Sequence, residues 1–379
     1  MEAPERFDNT LHYVRQEAKM IRCVVCGSHA VDNYKKIDDV EFYTCRGCGS
    51  LFADPGFLRA VEEGDVSNYR DTYWETELRA AKERSYGSSL QRVAETFFYS
   101  RIPITRFVDI GSGPGYLLDA LAAALPDAAN MFYGVELFPP ESAFRSKHPN
   151  YMLCPLADVG QKFEAGVCIE VIEHLTPSML DRLAKQMAQT SAPGAVYLIN
   201  SGQPDYVLTE DPGYLDPHGR GHILSYSLEG ARLIFEPHGF TVIPLPGRHW
   251  AFLVEYQSEY ISKEPIEQLE ARIWSPIPEN VVTLRDGGGG SLMYCTGLES
   301  ARCYLEHATV IQRTRWAQSL QEEIDRLAAE REAQREAAEQ EAEHVNDPPP
   351  KEIPREASSP VAHAGLLGRA RRWVHRVAS

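Results

Sequence analysis

Cys23-Val-Val-Cys26-Gly and Cys45-Arg-Gly-Cys48-Gly form two knuckles eighteen residues apart. That spacing lets four thiolates close tetrahedrally on one Zn²⁺. Thiolates fill all four positions, so the expected metal is structural. A second chemical feature is Phe107 to Tyr116, a buried strand that breaks into a loop with Gly111, Gly113 and Gly115 and then a helical run from Leu117 to Leu125. The glycines remove Cβ atoms that would block a ligand, and the loop N–H groups at a positive helix N-terminus predict a bound anionic group. Tyr116 stands where the nicotinamide fingerprint needs glycine, which disfavours a pyrophosphate. A further short apolar strand, Phe132 to Leu137, ends in Glu136, whose carboxylate can accept hydrogen bonds from two ribose hydroxyls. Another apolar strand, after Lys162, runs into Glu170-Val-Ile-Glu173-His174-Leu.

His174, His218 and His222 supply imidazoles on the side facing a second reactant. A histidine of near-neutral pKa can take a proton from a hydroxyl or an acidic carbon. We assign that role to His222, with Glu173 and His174 shaping the pocket. On a helix starting after the strand, Glu170, Glu173 and His174 share one face. With His222 they form a competing reading, a divalent-cation site.

The elements that hold these residues follow from periodicity. Short apolar runs at Phe107 to Ile110, Tyr133 to Glu136, Tyr151 to Cys154, Val167 to Ile169 and Ala195 to Asn200 alternate with helical stretches, which predicts a doubly wound, mostly parallel sheet. Its ligand belongs at the carboxyl ends of the strands. Gly166 weakens the fourth strand. Leu90, Val93 and Phe97 give one apolar face to a helix over Glu75 to Tyr99. Ser227 to His238 reads as a helix closing on Gly239, followed by a strand at Phe240 to Ile243. The last, antiparallel strand is expected at Ser291 to Thr296, with 250–285 an insertion near the site. Val31 to Thr44 alternates like a hairpin, so the knuckles belong to a zinc ribbon. Cys154, Cys168, Cys295 and Cys303 are expected in the core.

Taken together, the acid-x-Gly-x-Gly-x-Gly loop, Glu136 and the Glu-Val-x-Glu-His-Leu stretch resemble the class I S-adenosylmethionine-dependent methyltransferases over about Tyr69 to Leu245. A ribbon before such a domain, and the aromatic segment Asn68-Tyr-Arg-Asp-Thr-Tyr-Trp74, resemble the sugar C-methyltransferase family. The resemblance implies a Rossmann-like α/β fold with an N-terminal zinc ribbon and a C-terminal helical extension. It implies S-adenosylmethionine and a structural Zn²⁺ as cofactors. Gly111, Gly113 and Gly115 would line the amino acid portion of the cofactor, Asp109 would help place its ammonium group, and Glu136 would hold the ribose. Leu156 to Asp158 would flank the adenine, and Glu170 would complete the cofactor side. His222-Ile-Leu-Ser-Tyr-Ser resembles the family's His-x-x-Phe-Ser segment, which lies over the active site. The implied reaction is methyl transfer to a sugar or glycan-like small substrate. Two alternatives stand beside it: a metal-dependent 2′-O-methyltransferase of RNA 3′ ends, and a non-enzymatic scaffold of zinc ribbon and coiled coil. The intact glycine loop and Glu136 argue against the scaffold.

Composition narrows the partners. The 379 residues carry a formal net charge of −16, which argues against a broad basic footprint for nucleic acid. A hydrophobic content of 43% supports a sizeable core. No apolar run reaches about 18 residues, and the start Met-Glu-Ala-Pro-Glu-Arg-Phe-Asp lacks the apolar core of a signal peptide, so a cytoplasmic enzyme is expected. The predicted domain order is an N-terminal segment (1–20), ribbon (21–60), methyltransferase domain (61–300), helical extension (301–345), disordered linker (346–362) and basic amphipathic helix (363–379). That last helix predicts weak peripheral contact with an anionic inner membrane face. Trp316, Leu320, Ile324 and Leu327 predict self-association through the 309–330 helix, with a solvated helix as the alternative.

Overall fold

The computed structural model describes residues 21–66, 73–245, 247–258, 265–285 and 292–345. The chain divides into two compact units, Met1–Thr314 and Arg315–Ser379. The expected N-terminal segment, linker and basic tail helix lie outside the described residues.

The first unit opens with the ribbon. Strands β1 (Val31–Ile37) and β2 (Val40–Cys45) pair antiparallel across Asp38-Asp39, both at positive φ as a tight hairpin turn requires. Strand β3 (Leu51–Ala53) pairs with β2 and leads into α1 (Pro55–Glu63), whose N-cap Asp54 accepts from the Gly56 and Phe57 amides. The single helix expected over Glu75 to Tyr99 is instead two, α2 (Tyr73–Ser85) and α3 (Ser88–Tyr99). Gly87 separates them at φ −130°, ψ −105°, a backbone pair outside the helical region.

The main sheet is built from β4 (Phe107–Ile110), α4 (Tyr116–Ala124), β5 (Phe132–Val135), β6 (Tyr151–Met152), β7 (Phe163–Ile169), α5 (Pro177–Thr190) and β8 (Ser191–Asn200). Then come α6 (Pro204–Thr209), β9 (Leu224–Ser225), α7 (Leu228–Phe235), β10 (Phe240–Pro244) and β11 (Ala251–Tyr256). Strand order is β10-β11-β8-β7-β4-β5-β6, parallel from β8 to β6, with β11 antiparallel to both its neighbours. The winding reverses at β4, and the carboxyl ends of β4, β5 and β7 open there. Alternate residues face opposite layers. Val108, Ile110, Tyr197 and Ile199 join a core shared with Phe42, Leu51 and Phe52 of the ribbon. Phe107, Val167, Val196 and Leu198 join the core built on Phe97 and Phe98 of α3. Both faces are therefore covered, as a parallel sheet requires. Gly166 does more than weaken its strand: a Cβ there would lie 2.6 Å from the Val108 carbonyl oxygen and 2.7 Å from the Tyr197 ring.

One expectation is overturned outright. The last strand is Ala251–Tyr256, inserted between β8 and β10, while Leu292 to Thr296, within the segment expected to be that strand, is the first part of helix α10 (Leu292–Val345). The run Ala-Phe-Leu-Val is buried on both faces, which suits an interior strand, whereas Met293, Ala301, Leu305 and Ala308 recur at helical spacing and bury one side of α10. Helices α8 (Pro265–Trp274) and α9 (Pro278–Arg285) form no insertion at the site. Asn280 accepts from the Ile104 amide and donates to the Phe97 and Ile102 carbonyls, which fixes α9 against the end of α3. Cys168 is buried as expected and Cys154 is half-buried, but Cys295 and Cys303 are exposed because α10 is a helix with an outer face.

In the second unit α10 continues with Trp316, Leu320, Ile324 and Leu327 exposed. Arg326 pairs with Glu323 and Glu330, and Arg335 with Glu339, the spacings that support a solvated helix. Among the described residues no helix is long and apolar enough to cross a membrane.

Candidate functional site

The four knuckle cysteines converge. Their sulfurs all lie within 4.8 Å of one another, with Cys23 to Cys48 at 3.7 Å and Cys26 to Cys45 at 3.5 Å. Tetrahedral Zn–S bonds of about 2.3 Å put sulfurs about 3.8 Å apart, so the quartet fits zinc without rearrangement. The Val25 amide points at Cys23 Sγ, and the Gly47 and Cys48 amides at Cys45 Sγ, donors that stabilise thiolate. Elemental analysis of protein purified without chelator should find one zinc per chain. Replacing Cys45 and Cys48 with serine should abolish it, and metal-free wild-type protein would refute the assignment.

The second site is a cavity of about 990 Å³ at the carboxyl ends of β4, β5 and β7. That is large enough for a cofactor and a small second reactant. Asp109, Gly111, Gly113, Glu136, Glu170, His174 and His222 all line it. The loop glycines hold positive φ, and a Cβ on Gly111 would meet a methyl of Val171 at 2.4 Å. The loop does not, however, present the free amides expected for an anion. Gly111 and Ser112 donate to the Val135 carbonyl, Gly115 to that of Ser112, and Gly113 to Glu136 Oε2 at 2.6 Å. Glu136 Oε1 accepts from the amides of Leu137 and Phe138. Each carboxylate oxygen has two lone pairs, so Glu136 keeps one on Oε2 for a hydroxyl donor. Burial raises the pKa of Glu136 and pushes that of Asp109 up to about 7. A cationic ligand beside these acids would favour their ionised forms.

On the far side of the cavity the geometry departs from the expected helix. Glu170 ends β7 in the left-handed region at φ 54°, only one tight turn follows (Ile172–His174), and α5 begins at Pro177 behind the Thr176 cap. Glu170 accepts from Asn200 Nδ2 at 2.8 Å, and its carboxyl group stays close enough to that of Glu173 for the two to interact directly. Burial, then repulsion from Glu173, raises its pKa well above the usual carboxylate range. Glu173, His174 and His222 do come together, each offering one ligand atom within 4.8 Å of the others. Glu173 is fully buried and accepts from the Tyr214 hydroxyl at 3.0 Å. His222 Nδ1 lies 2.8 Å from the Tyr214 carbonyl, and because a carbonyl only accepts, Nδ1 carries the proton and Nε2 the lone pair. Nε2 is 3.9 Å from Glu173 Oε1. Burial, then the neighbouring His174, holds the His222 pKa well below 6.5.

Leu156, Asp158 and Gly115 are not among the residues lining the cavity. Leu156 is buried and Asp158 exposed, while Phe138, two residues after Glu136, lines the cavity. His218 stacks edge-on against Phe57 and also lies outside the lining. Sequence reasoning missed Tyr214, which orients both Glu173 and His222, and Arg84 and Arg220, which line the far end. Tyr73 and Trp74, from the aromatic segment noted above, do line it.

Residues 75–245 match the family model described as a methyltransferase domain. None of the curated proteins matches. Solved structures with a similar fold include Streptomyces venezuelae DesVI (16% identity, 47% of this chain and 94% of that one, TM-score 0.36). Another is 1,6-didemethyltoxoflavin-N1-methyltransferase of Burkholderia thailandensis with 1,6-didemethyltoxoflavin and S-adenosylhomocysteine bound (15%, 59% and 97%, 0.36). A third is CalS10, an amino pentose methyltransferase from Micromonospora echinaspora, with S-adenosylmethionine bound (17%, 52% and 96%, 0.33). The Rossmann-like sheet, with its acid-flanked glycine loop at the switch point, agrees with a methyltransferase domain over the matched residues 75–245.

Proposed function

We propose that this methyltransferase alkylates a hydroxyl or acidic carbon of a sugar or glycan-like small substrate, with His222 as the proton acceptor. The observation that supports this most directly is one cavity lined by Glu136, Asp109 and buried His222, whose Nε2 keeps its lone pair. When bound, S-adenosylmethionine supplies an electrophilic methyl on a cationic sulfonium. The chain's own residues supply position and a place for the proton. Glu136 would hold a ribose hydroxyl, Asp109 would help place the ammonium, and Gly111 and Gly113 would let the cofactor approach the backbone. An acceptor lying on Tyr73 and Trp74 would present its nucleophilic atom to His222 Nε2, which would take its proton as the methyl passes to it from the sulfonium and the neutral thioether S-adenosylhomocysteine is left. Flat aromatic faces suit the apolar face of a sugar ring, and the zinc ribbon agrees with the resemblance to sugar C-methyltransferases. Incubation with methyl-labelled cofactor and fractionated extract tests the substrate class. Label in small glycans or sugar metabolites supports it, and label in RNA refutes it.

Glu136→Ala should weaken binding of S-adenosylhomocysteine by about 1–3 kcal/mol, since a charged acceptor is lost from a buried position. Calorimetry giving unchanged affinity would remove Glu136 from the cofactor site. A pH profile tests His222. Its neutral form is the base and burial lowers its pKa, so turnover should hold as pH falls through 6.5 and drop only in more acidic solution. An acid limb centred above 6.5 would contradict a buried base.

The Glu173, His174 and His222 cluster also supports a second reading, a divalent cation polarising the acceptor hydroxyl, as in the RNA 3′-end alternative. Among the described residues Glu173, His174 and His222 are the three whose ligand atoms converge there, Glu170 is engaged by Asn200, and the chain's charge of −16 disfavours RNA. Turnover that survives a chelator too weak to strip the ribbon supports His222 as base. Strict dependence on added Mg²⁺ or Mn²⁺ supports the cation.

A further inference from the structure

The ribbon and the His222 segment are stitched together. Strand β3 leaves the second knuckle and pairs antiparallel with β9, Leu51 opposite Ser225 and Phe52 opposite Leu224. The Ala53 amide donates to the Ile223 carbonyl at 3.0 Å, and the Ile223 amide donates to the Glu173 carbonyl at 2.9 Å. Ser227 closes the stitch. Its amide donates to Ser50 Oγ at 3.2 Å, and its hydroxyl donates to the carbonyl of Cys48, itself one of the four thiolate ligands. The same Ser227 Oγ accepts from the Gly230 amide as the N-cap of α7. Five residues after His222, the chain is thus clamped to the metal knuckle, and Ser50 is fully buried in the clamp.

We propose that the four-cysteine knuckle pair holds the His222 segment in place, with Ser227 and Ser50 as positioning residues for His222. The ribbon is then one wall of the catalytic apparatus rather than a separable module. Zinc fixes Cys45 and Cys48, and these fix the start of β3. Strand β3 supplies the edge on which 223–225 lie, and Ser227 prevents that segment from sliding. The mechanical coupling stands on hydrogen bonds alone, while its catalytic consequence rests on His222 being the proton acceptor.

Ser227→Asp separates the two jobs of this side chain. Aspartate still accepts from the Gly230 amide and keeps the cap, but it cannot donate to the Cys48 carbonyl. Ser227→Thr keeps both functions. Amide hydrogen exchange of the zinc-loaded full chain should be about tenfold faster over 221–228 in Ser227→Asp, and near wild type in Ser227→Thr. Stripping zinc from the wild-type chain should produce the same local acceleration. Affinity for S-adenosylhomocysteine should stay within about twofold throughout, because the glycine loop and Glu136 sit on other elements. With an acceptor in hand, Ser227→Asp should lower kcat more than it raises KM. Unchanged exchange at 221–228 after zinc removal would overturn the coupling, as would a Ser227→Thr variant as impaired as Ser227→Asp. Faster exchange with an unaltered kcat would overturn the role of His222 and leave the coupling intact.

Discussion

Replacing His222 with alanine should slow turnover by about 10²–10⁴-fold while leaving S-adenosylhomocysteine affinity within about twofold. The asymmetry follows from where the residue sits. His222 lines the cavity at 5% exposure, its Nδ1 proton committed to the Tyr214 carbonyl, on a segment separate from the glycine loop. Losing it removes the one role the rate needs from this side chain, proton acceptance by Nε2. Because alanine also leaves a hole beside His174 and Glu173, His222→Gln is the companion variant. Glutamine can still donate to the Tyr214 carbonyl but has no basic nitrogen, so it should repair folding without repairing rate. Single-turnover kinetics measure both. A glutamine variant at wild-type rate would remove His222 from the chemistry, and Glu170→Ala would then test whether the carboxylate at the end of β7 is the base.

The strand-end wall of this cavity was legible from the sequence because each residue sits at a strand end whose position the apolar pattern already sets. Asp109, Gly111, Gly113 and Glu136 follow directly from Phe107 to Ile110 and Phe132 to Val135. The acceptor half was less so. Glu170 and Glu173 read as neighbours on one helix face, yet a single tight turn with Glu170 at φ 54° stands in place of that helix, and no periodicity reports that. Tyr214 was invisible because its partners, Glu173 and His222, lie 41 and 8 residues away. The last strand was misplaced for a related reason. Ala251 to Glu255 and Leu292 to Thr296 are both short apolar runs, and only the competition for the slot between β8 and β10 separates them. The clamp between Cys48 and Ser227 spans 179 residues, beyond any local pattern.

Helix α3 shows how a hidden tertiary contact becomes a large effect. Leu90, Val93 and Phe97 announce its apolar face, and by that pattern Arg92 and Glu95 belong in solvent. Both are buried instead, at 7% and 0% exposure. Glu95 Oε1 accepts from Arg92 at 2.7 Å and from the Ser300 hydroxyl of α10, and Oε2 accepts from Arg248 at 2.5 Å. Arg248 lies over the Tyr304 ring at 3.7 Å and Arg92 over Trp250 at 4.3 Å. One carboxylate thus compensates two buried guanidinium groups and ties α3, the turn before β11 and the start of α10 behind the sheet. Glu95→Gln leaves those two cations facing each other without an anion, and removing one member of a buried pair costs about 3–5 kcal/mol. An exposed pair such as His238 and Asp181 should cost less than about 1 kcal/mol when Asp181 becomes asparagine. Urea unfolding of the two variants should therefore give a large loss of midpoint for Glu95→Gln and almost none for Asp181→Asn. Equal midpoints would mean that water reaches Arg248 and that α10 does not seal this face of the sheet.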